Sequence, residues 1–552
     1  MANSLWLASG LKAARVFRRA LREPRKAQEA ILMSLLLRNA NSSYGGRYSF
    51  HRLRSIRDYQ DAVPIVSYDS LEQEIEAIKR GRQGILTEEP VLMLEKTAGS
   101  TAASKYIPYT ASLKREFQAA VAPWMADLYS HRPKMLFGGA YWSVSPLATG
   151  REVTEGGLPV GFEDDTEYLG TWERRLLSRL LLTPKELPRV LDVETSRYVT
   201  LRFLLETPRL SFISIWNPSF LTLLIQFLSK KADRLLEDVR RGTLTPPALL
   251  PSHLHLALSK RLHPRPKRAN RLEQLLNRHG TLPPSEAWPP LAVISCWASA
   301  SAARFLPEMQ SLFPKTEIQP KGLLATEGAV SIPLTGHPGA ALVVTSHFLE
   351  FIDEENPRVR PLLADELDLG RTYSVLITTG GGLYRYALGD RVHVVGRIQA
   401  TALVEFVGKV EQISDLCGEK LNAARIEEIL DQALREFQIE PSFVMLAPEW
   451  GRPPRYILFL EAQGLPKELF DKLVLRVETR LAEGHHYAYC RQLGQLGPLQ
   501  GFRLLGGASR AYLERCALLG QRRGSVKPTA LHSKPGWSDW FLETSPESLV
   551  RE

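Results

Sequence analysis

The chain has 552 residues, of which 44% are hydrophobic and 24% charged, with a formal net charge of +10. That is ordinary for a folded globular protein with ample apolar material for a core. No apolar run reaches 18 residues, which excludes an evident transmembrane helix and predicts no membrane insertion.

The length suits three or four domains of average size, or two large ones. Cys296, Cys417, Cys490 and Cys516 include no CxxC pair, so neither a zinc site nor a disulfide framework is expected, in keeping with a reducing cytoplasm. The excess of cations would attract a polyanion at long range, and it equally suits an enzyme that binds anionic small molecules. The second reading is adopted here, with no nucleic-acid partner.

The first acidic residue is Glu23, preceded by Lys12, Arg15, Arg18, Arg19 and Arg22. The apolar positions form no leader-like run and continue in period through Ile31, Leu32, Leu35 and Leu36, which predicts a helical arm packed on the body. A loop is expected over 39–46, a helix over 70–79 and a short buried strand over 91–94, followed by a helix over 111–128. Residues 198–238 read as two apolar helical patterns joined at 215–219, where Asn217, Pro218 and Ser219 fit a helix start. Residues 246–278 are proline-rich and then basic, without interleaved aromatics, and read as a solvated surface connection. From residue 291 strand-like runs at 292–295, 316–318, 341–344 and 373–378 alternate with helices, which argues for an α/β class. Past residue 407, helices over 423–437 and 467–483 and strands at 443–447 and 456–461 read as a smaller α+β domain. The expected architecture is therefore a large domain, 1–405, with β-sheets flanked by helices, and a small mobile domain, 406–552.

Five segments carry chemistry. The loop 97–105 gathers the hydroxyls of Thr97, Ser100, Thr101 and Ser104 around Gly99 and closes on Lys105, a pattern that can cradle an anion with backbone N–H groups and a cation. It is not a Walker A loop. Glu327, between Thr326 and Gly328, can bring a carboxylate to a hard cation such as Mg²⁺. The run Gly380-Gly381-Gly382-Leu383-Tyr384-Arg385-Tyr386 permits close backbone approach and ends at Asp390, which suits a ribose diol. Lys420 opens the small domain, and Lys527 lies in a basic loop near the C-terminus.

In this order and spacing the segments resemble the Gretchen Hagen (auxin-responsive) family of acyl-acid amido synthetases, in a bacterial-type form, within the adenylate-forming superfamily. Tyr44-Gly45-Gly46-Arg47, Val63-Pro64-Ile65, Asn217-Pro218-Ser219, Ser295-Cys296-Trp297 and Glu350-Phe351-Ile352 extend the resemblance over most of the chain. It implies that Thr97, Ser100, Thr101 and Lys105 hold the ATP phosphates. It also implies that Thr326 and Glu327 contact phosphate and Mg²⁺, that Leu323 stands where a tyrosine usually stacks on adenine, and that Asp390 holds the ribose. Lys420 and Lys527 correspond to the lysines that act on the α-phosphate. Ala102 and Ala103 replace the usual glycines, and Ala298-Ser299 follow Trp297 in place of an Asp-Gly-like pair. Trp124, Trp142, Phe212, Trp216 and Leu221 are candidates for the acid pocket. The implied reaction makes an acyl-adenylate and passes the acyl group to an amine, in a monomer or homodimer. An acyl-CoA ligase, or a non-catalytic nucleotide- or nucleic-acid-binding scaffold, are the alternatives.

Overall fold

The basic N-terminal segment folds as a helix, Ala2–Ala20, followed by a second, Pro24–Arg38, that starts on a proline. In the computed structural model, which describes residues 2–97, 105–143, 152–161, 179–357, 359–409, 413–519, 529–544 and 549–550, the first helix packs along Ala111–His131. Gly10 permits the close approach, since a β-carbon there would stand 3.1 Å from the carbonyl oxygen of Ala122. Phe17 and Leu21 are buried, so the arm is part of the body. The chain separates into two units, Met1–Thr97 with Lys105–Val410 and, beyond them, Glu411–Glu552.

Among its described residues the first unit holds three sheets. A hairpin of Met93–Thr97 and Lys105–Tyr109 is extended by Pro159–Val160 and Glu152–Val153. Six antiparallel strands run in the order Phe348–Asp353, Thr372–Thr378, Tyr386–Ile398, Thr401–Lys409, Ala340–Leu342, Ser331–Pro333. Four parallel strands lie side by side: Gly139–Trp142, Leu210–Ser214, Val293–Cys296 and Glu317–Pro320. Tyr141, Ile213 and Ile294 face a core shared with the helices Val193–Glu206, Pro218–Arg241 and Pro266–His279, while Ala140, Phe212 and Val293 face the main core.

Two sequence expectations change. Leu210–Ser214, within the stretch expected to be helical, is a strand: a short apolar run buried on both faces carries no period of two. Asn217 does cap the helix Pro218–Arg241, its Oδ1 accepting from the Ser219 N–H at 2.9 Å. The stretch 246–278 is more than a solvated connection: it contains the helices Ser252–Ser259 and Pro266–His279, with Leu272 and Leu275 buried. Its Arg268 donates to the carbonyls of Leu205 (3.0 Å) and Ala287 (2.7 Å), satisfying the ends of two helices. Arg261 and Arg265 pair with Glu186 and Glu206.

In the second unit a sheet of Phe443–Glu449, Arg455–Glu461, Gln500–Leu504 and Leu549–Val550 is covered on both sides. Leu446, Leu458 and Leu460 face the helices Ala423–Glu436 and Lys467–Ala482. Met445, Ile457 and Phe459 face Tyr512, Trp537 and Phe541 from the helices Ala508–Leu518 and Trp537–Thr544. Among the described residues no helix is long and apolar enough to cross a membrane.

His532 is buried in that second core, 4.8 Å edge-on from Trp537. Burial, with the Arg515 and Lys534 charges nearby, pushes it down from 6.5 to about 4. The unfolded chain therefore takes a proton near pH 6.5 that the folded unit refuses until about pH 4. The stability this group supplies is complete above pH 6.5 and is lost as pH falls from there towards 4. In urea titrations at pH 7.5 and 5, the wild type is expected to lose about 2 kcal/mol more than His532→Phe over that interval.

Candidate active site

The hairpin closes the first motif. Thr97 and Lys105 are cross-strand partners, so the two ends of the 97–105 loop meet. Ser100 and Thr101, with Ala102 and Ala103, lie outside the described residues. The Lys105 ammonium stands over the Tyr68 ring at 5.7 Å.

Four residues on from Lys105, the Tyr109 hydroxyl donates to the carbonyl of Thr326 at 2.5 Å, tying this hairpin to the second motif. That motif is a tight turn. Leu324 bridges Ala329, and Ala325 and Gly328 exchange hydrogen bonds at 3.0 and 3.2 Å, leaving Thr326 and Glu327 at the partly exposed tip. Leu323 is partly buried, its N–H donating to Ser331 Oγ at 3.0 Å. Gly328 sits so close to its support that a β-carbon would stand 2.5 Å from Ile377 Cδ1 and 2.9 Å from His347 Nε2.

The three glycines approach the protein itself and so serve packing. A β-carbon on Gly380 would meet Glu116 Oε1 at 2.5 Å, and one on Gly381 the Pro108 carbonyl at 2.6 Å. The buried Glu116 carboxylate accepts from the Gly380 N–H (2.8 Å) and from His347 Nδ1 (2.8 Å), and Thr110 Oγ1 donates to the Gly380 carbonyl at 2.8 Å. Glu116 thus joins the glycine loop to the support of the Thr326–Glu327 turn. Neither Glu116 nor His347 belongs to a motif visible in the sequence.

Tyr384-Arg385-Tyr386 is also structural. Tyr384 stacks on Tyr44 at 5.0 Å between ring centres. Arg385, at φ +48°, donates to the buried Glu350 carboxylate at 3.1 Å and to the carbonyls of Gln60 and Val63 at 2.7 Å each. A charge pair this deep is held by its extra hydrogen bonds, here including Gln60 Nε2 to Glu350 at 2.8 Å. The network fixes the strand Tyr386–Ile398, on which Asp390 is buried opposite Lys409.

The carboxyl ends of the parallel strands form the other part of the site. In register, Trp142, Ser214, Ser295 and Gln319 lie side by side on one face. Trp124, from the helix Ala111–His131, donates its indole N–H to Gln319 Oε1 at 3.0 Å. Trp216 and Trp297 follow their strands, with ring centres 5.6 Å apart. Lys321 reaches back to donate to Ser214 Oγ at 2.7 Å, with its ammonium 5.2 Å from the Trp124 ring centre and 5.0 Å from that of Trp216. Phe212 and Leu221 are 1% exposed in the cores beneath and are therefore packing residues in this structure, as opposed to pocket lining. Burial pushes the Cys296 thiol up to about 12 against the opposing Lys321 charge, which disfavours the thiolate.

In the second unit Lys420 is partly buried at φ +48°. Its neighbour Glu419 anchors the loop, accepting from the Leu416 N–H (2.6 Å), the Cys417 N–H (2.8 Å) and the Tyr456 hydroxyl (2.6 Å). Cys417, Glu419 and Cys490 cluster with the spacing of a metal site. The Cys490 hydrogen bond, burial and the Glu419 charge hold the Cys417 thiol well above its ordinary value. Glu419 anchors the loop through its three hydrogen bonds. Lys527 lies outside the described residues.

Glu116→Ala would leave the Gly380 N–H and His347 Nδ1 buried without their acceptor. Unfolding in urea should show a loss of about 3 kcal/mol, with a smaller loss for Glu116→Gln.

The model of the GH3 family N-terminal domain matches residues 13–318, and that of the GH3 family central domain residues 340–409. An Arabidopsis thaliana protein named indole-3-acetic acid-amido synthetase GH3.10 is 23% identical over 500 residues, covering 83% of each chain. A Nicotiana attenuata protein named jasmonoyl--L-amino acid synthetase JAR6 is 22% identical over 467 residues, covering 80% of this chain and 79% of its own. The solved structure of GH3.15 acyl acid amido synthetase shares the fold at a TM-score of 0.63 and 18% identity, over 98% of this chain and 96% of that one. With a family model matching more than half of its length, the chain belongs to the GH3 family.

Proposed function

We propose that the chain is an ATP-dependent ligase that activates a carboxylic acid as its acyl-adenylate and transfers the acyl group to the amine of an amino acid. The observation that carries this is the Tyr109–Thr326 hydrogen bond. It joins a hairpin whose loop has the composition of a phosphate cradle to a turn presenting Thr326 and Glu327, and Lys321 leads that turn away from an aromatic-walled sheet edge. Ligands of open α/β sheets bind beyond the carboxyl ends of the strands. Relatives named as amido synthetases support the same reading.

In this scheme an acid oxygen attacks the α-phosphorus, and the bond to the bridging oxygen breaks to release pyrophosphate. The protein's part is positioning and charge stabilisation. Lys105, Thr97, Ser100 and Thr101 hold phosphate oxygens, and Lys420 and Lys527 neutralise the transferring group. Glu327 offers the carboxylate oxygen that a hard divalent cation prefers, so the turn fits Mg²⁺, which would neutralise phosphate charge. Asp390 holds the ribose, and Leu323 gives adenine an aliphatic surface. In the second half-reaction the amine nitrogen attacks the acyl carbon, loses its proton and displaces AMP.

The test is pyrophosphate release across aryl, indole and fatty acids, followed by AMP release with an amino-acid panel or with CoA. Release should require an acid, AMP and amide should require an amino acid, and Lys527→Ala should slow the acid-dependent step about 100-fold. Release indifferent to every acid contradicts the reading, and AMP release that needs CoA replaces the amine with a thiol.

A further inference from the structure

The first helix, Ala2–Ala20, takes no part in the site, and its two sides differ in kind. Ala14, Phe17 and Ala20 are buried against the body. The other side carries Lys12, Arg15, Arg18 and Arg19, all exposed, and Arg22 follows in the turn beyond. Among them stand Leu11, 38% exposed, and Val16, 53% exposed. The helix is fastened in this orientation. Just after it the Leu21 carbonyl accepts from the Ala400 N–H and the Thr401 hydroxyl, each at 3.1 Å.

Elsewhere on this unit cations on the surface have acidic partners. Arg25 pairs with Asp365 and Glu366, Arg47 with Glu74, and Arg115 with Glu89. Among the described residues none of the five cations from Lys12 to Arg22 forms an ion pair. The first acid, Glu23, pairs with Lys26 at 3.6 Å. The helix beneath, Ala111–His131, has Glu116 and Asp127 as its acids, and both are buried and engaged, Asp127 by the Thr335 N–H at 2.8 Å. Like charges three and four positions apart, such as Arg15 with Arg18 and Arg19, repel one another on a helix. Arg18 and Arg19 in the last turn gain from the helix dipole, but Lys12 and Arg15 lie too far back to share it. The fold has no use for that arrangement, whereas an anionic partner has.

We propose that this face of the first helix docks on an anionic lipid bilayer. Lys12 to Arg19 spans roughly 10 Å along the helix axis, within one screening length at about 0.1 M salt, so these charges act on a lipid surface together. The potential of an anionic leaflet attracts such a basic segment and fades over the same distance. The apolar side chains favour a bilayer over a nucleic acid. Leu11 and Val16 stand among the cations, and the turn Pro133–Phe137, packed on the same helix, presents Lys134 and a Phe137 ring that is 83% exposed. A bilayer interface accepts aliphatic and aromatic side chains between basic ones. The helix face offers a nucleic acid no amide or hydroxyl for its bases or phosphates. Phe17 and Leu21 stay in the core, so the contact is adsorption of the folded body, independent of the ligase reading.

The experiment is flotation of the full chain with vesicles of phosphatidylcholine alone or with about one-third phosphatidylglycerol, beside titration of a labelled DNA duplex in the same buffer. The wild type should float with the anionic vesicles and not with the neutral ones. Raising sodium chloride from about 0.05 to about 0.5 M should lower its partition coefficient tenfold or more. Lys12→Glu with Arg19→Glu should also lower it tenfold or more. Arg15→Gln with Arg18→Gln, which reverses no charge, should weaken it severalfold, as should Val16→Ser with Phe137→Ser. Lys267→Glu with Arg271→Glu changes the net charge equally on another exposed helix and should stay within twofold of the wild type. No flotation with anionic vesicles at low salt overturns the proposal. So does an equal loss in the two charge-reversed pairs, which would make net charge the cause. Duplex DNA bound through Lys12 and Arg19 more tightly than the vesicles overturns it in favour of a nucleic acid.

Discussion

The Glu116 carboxylate is the fastening on which the rest of the first unit's site depends. It projects from the helix Ala111–His131, directly after the hairpin that ends at Tyr109, and it accepts from Gly380 and His347. Through Gly380 it fixes the loop that leads to Asp390, and through His347 it fixes the floor beneath Gly328 and the Thr326–Glu327 turn. Hydrogen bonds to a buried carboxylate are stronger than neutral ones, and removing the acceptor strands two donors at once. Three segments far apart in sequence are therefore positioned by one side chain, and each of them carries a motif that sequence alone reads as separate.

The Arg385–Glu350 pair does the same for the lead-in. It gathers the carbonyls of Gln60 and Val63, while Tyr384 stacks on Tyr44. The residues that make the family recognisable at Tyr44, Val63, Glu350 and Tyr384 to Tyr386 are in this structure a scaffold. Their strict geometry (Arg385 is held at positive φ) follows from a buried charge that must satisfy every donor it has. Positions whose chemistry is exposed, such as Thr326 and Glu327, lie at the ends of this scaffold.

Much of the fold was legible where the pattern was long or the capping chemistry explicit: the helix Ala111–His131, the Asn217 cap, and the alternating apolar strands of the second unit. The strand Leu210–Ser214 was not, because burial on both faces erases the alternation that marks a strand. The basic stretch misled for a related reason: Arg268 looks like surface charge in a sequence, and only the carbonyls of Leu205 and Ala287 reveal its use. Of the aromatics proposed for the acid pocket, Trp142 and Trp216 stand at the sheet edge, whereas Trp124 and Phe212 are buried in the core, a difference that sequence pattern does not carry. Glu116 and His347 carry no local signal at all, since their meaning comes from partners about 230 and 260 positions away.

Activation of the acid on the α-phosphate of ATP leaves a chemical trace in the products. The direct measurement is the fate of an oxygen label: an acid carrying ¹⁸O in its carboxylate is turned over with ATP and an amino acid, and the nucleotide products are weighed by mass spectrometry. One labelled oxygen recovered in AMP is the predicted result, because the carboxylate oxygen that attacks phosphorus leaves with the nucleotide. Label recovered in inorganic phosphate, with ADP as the nucleotide product, would contradict it.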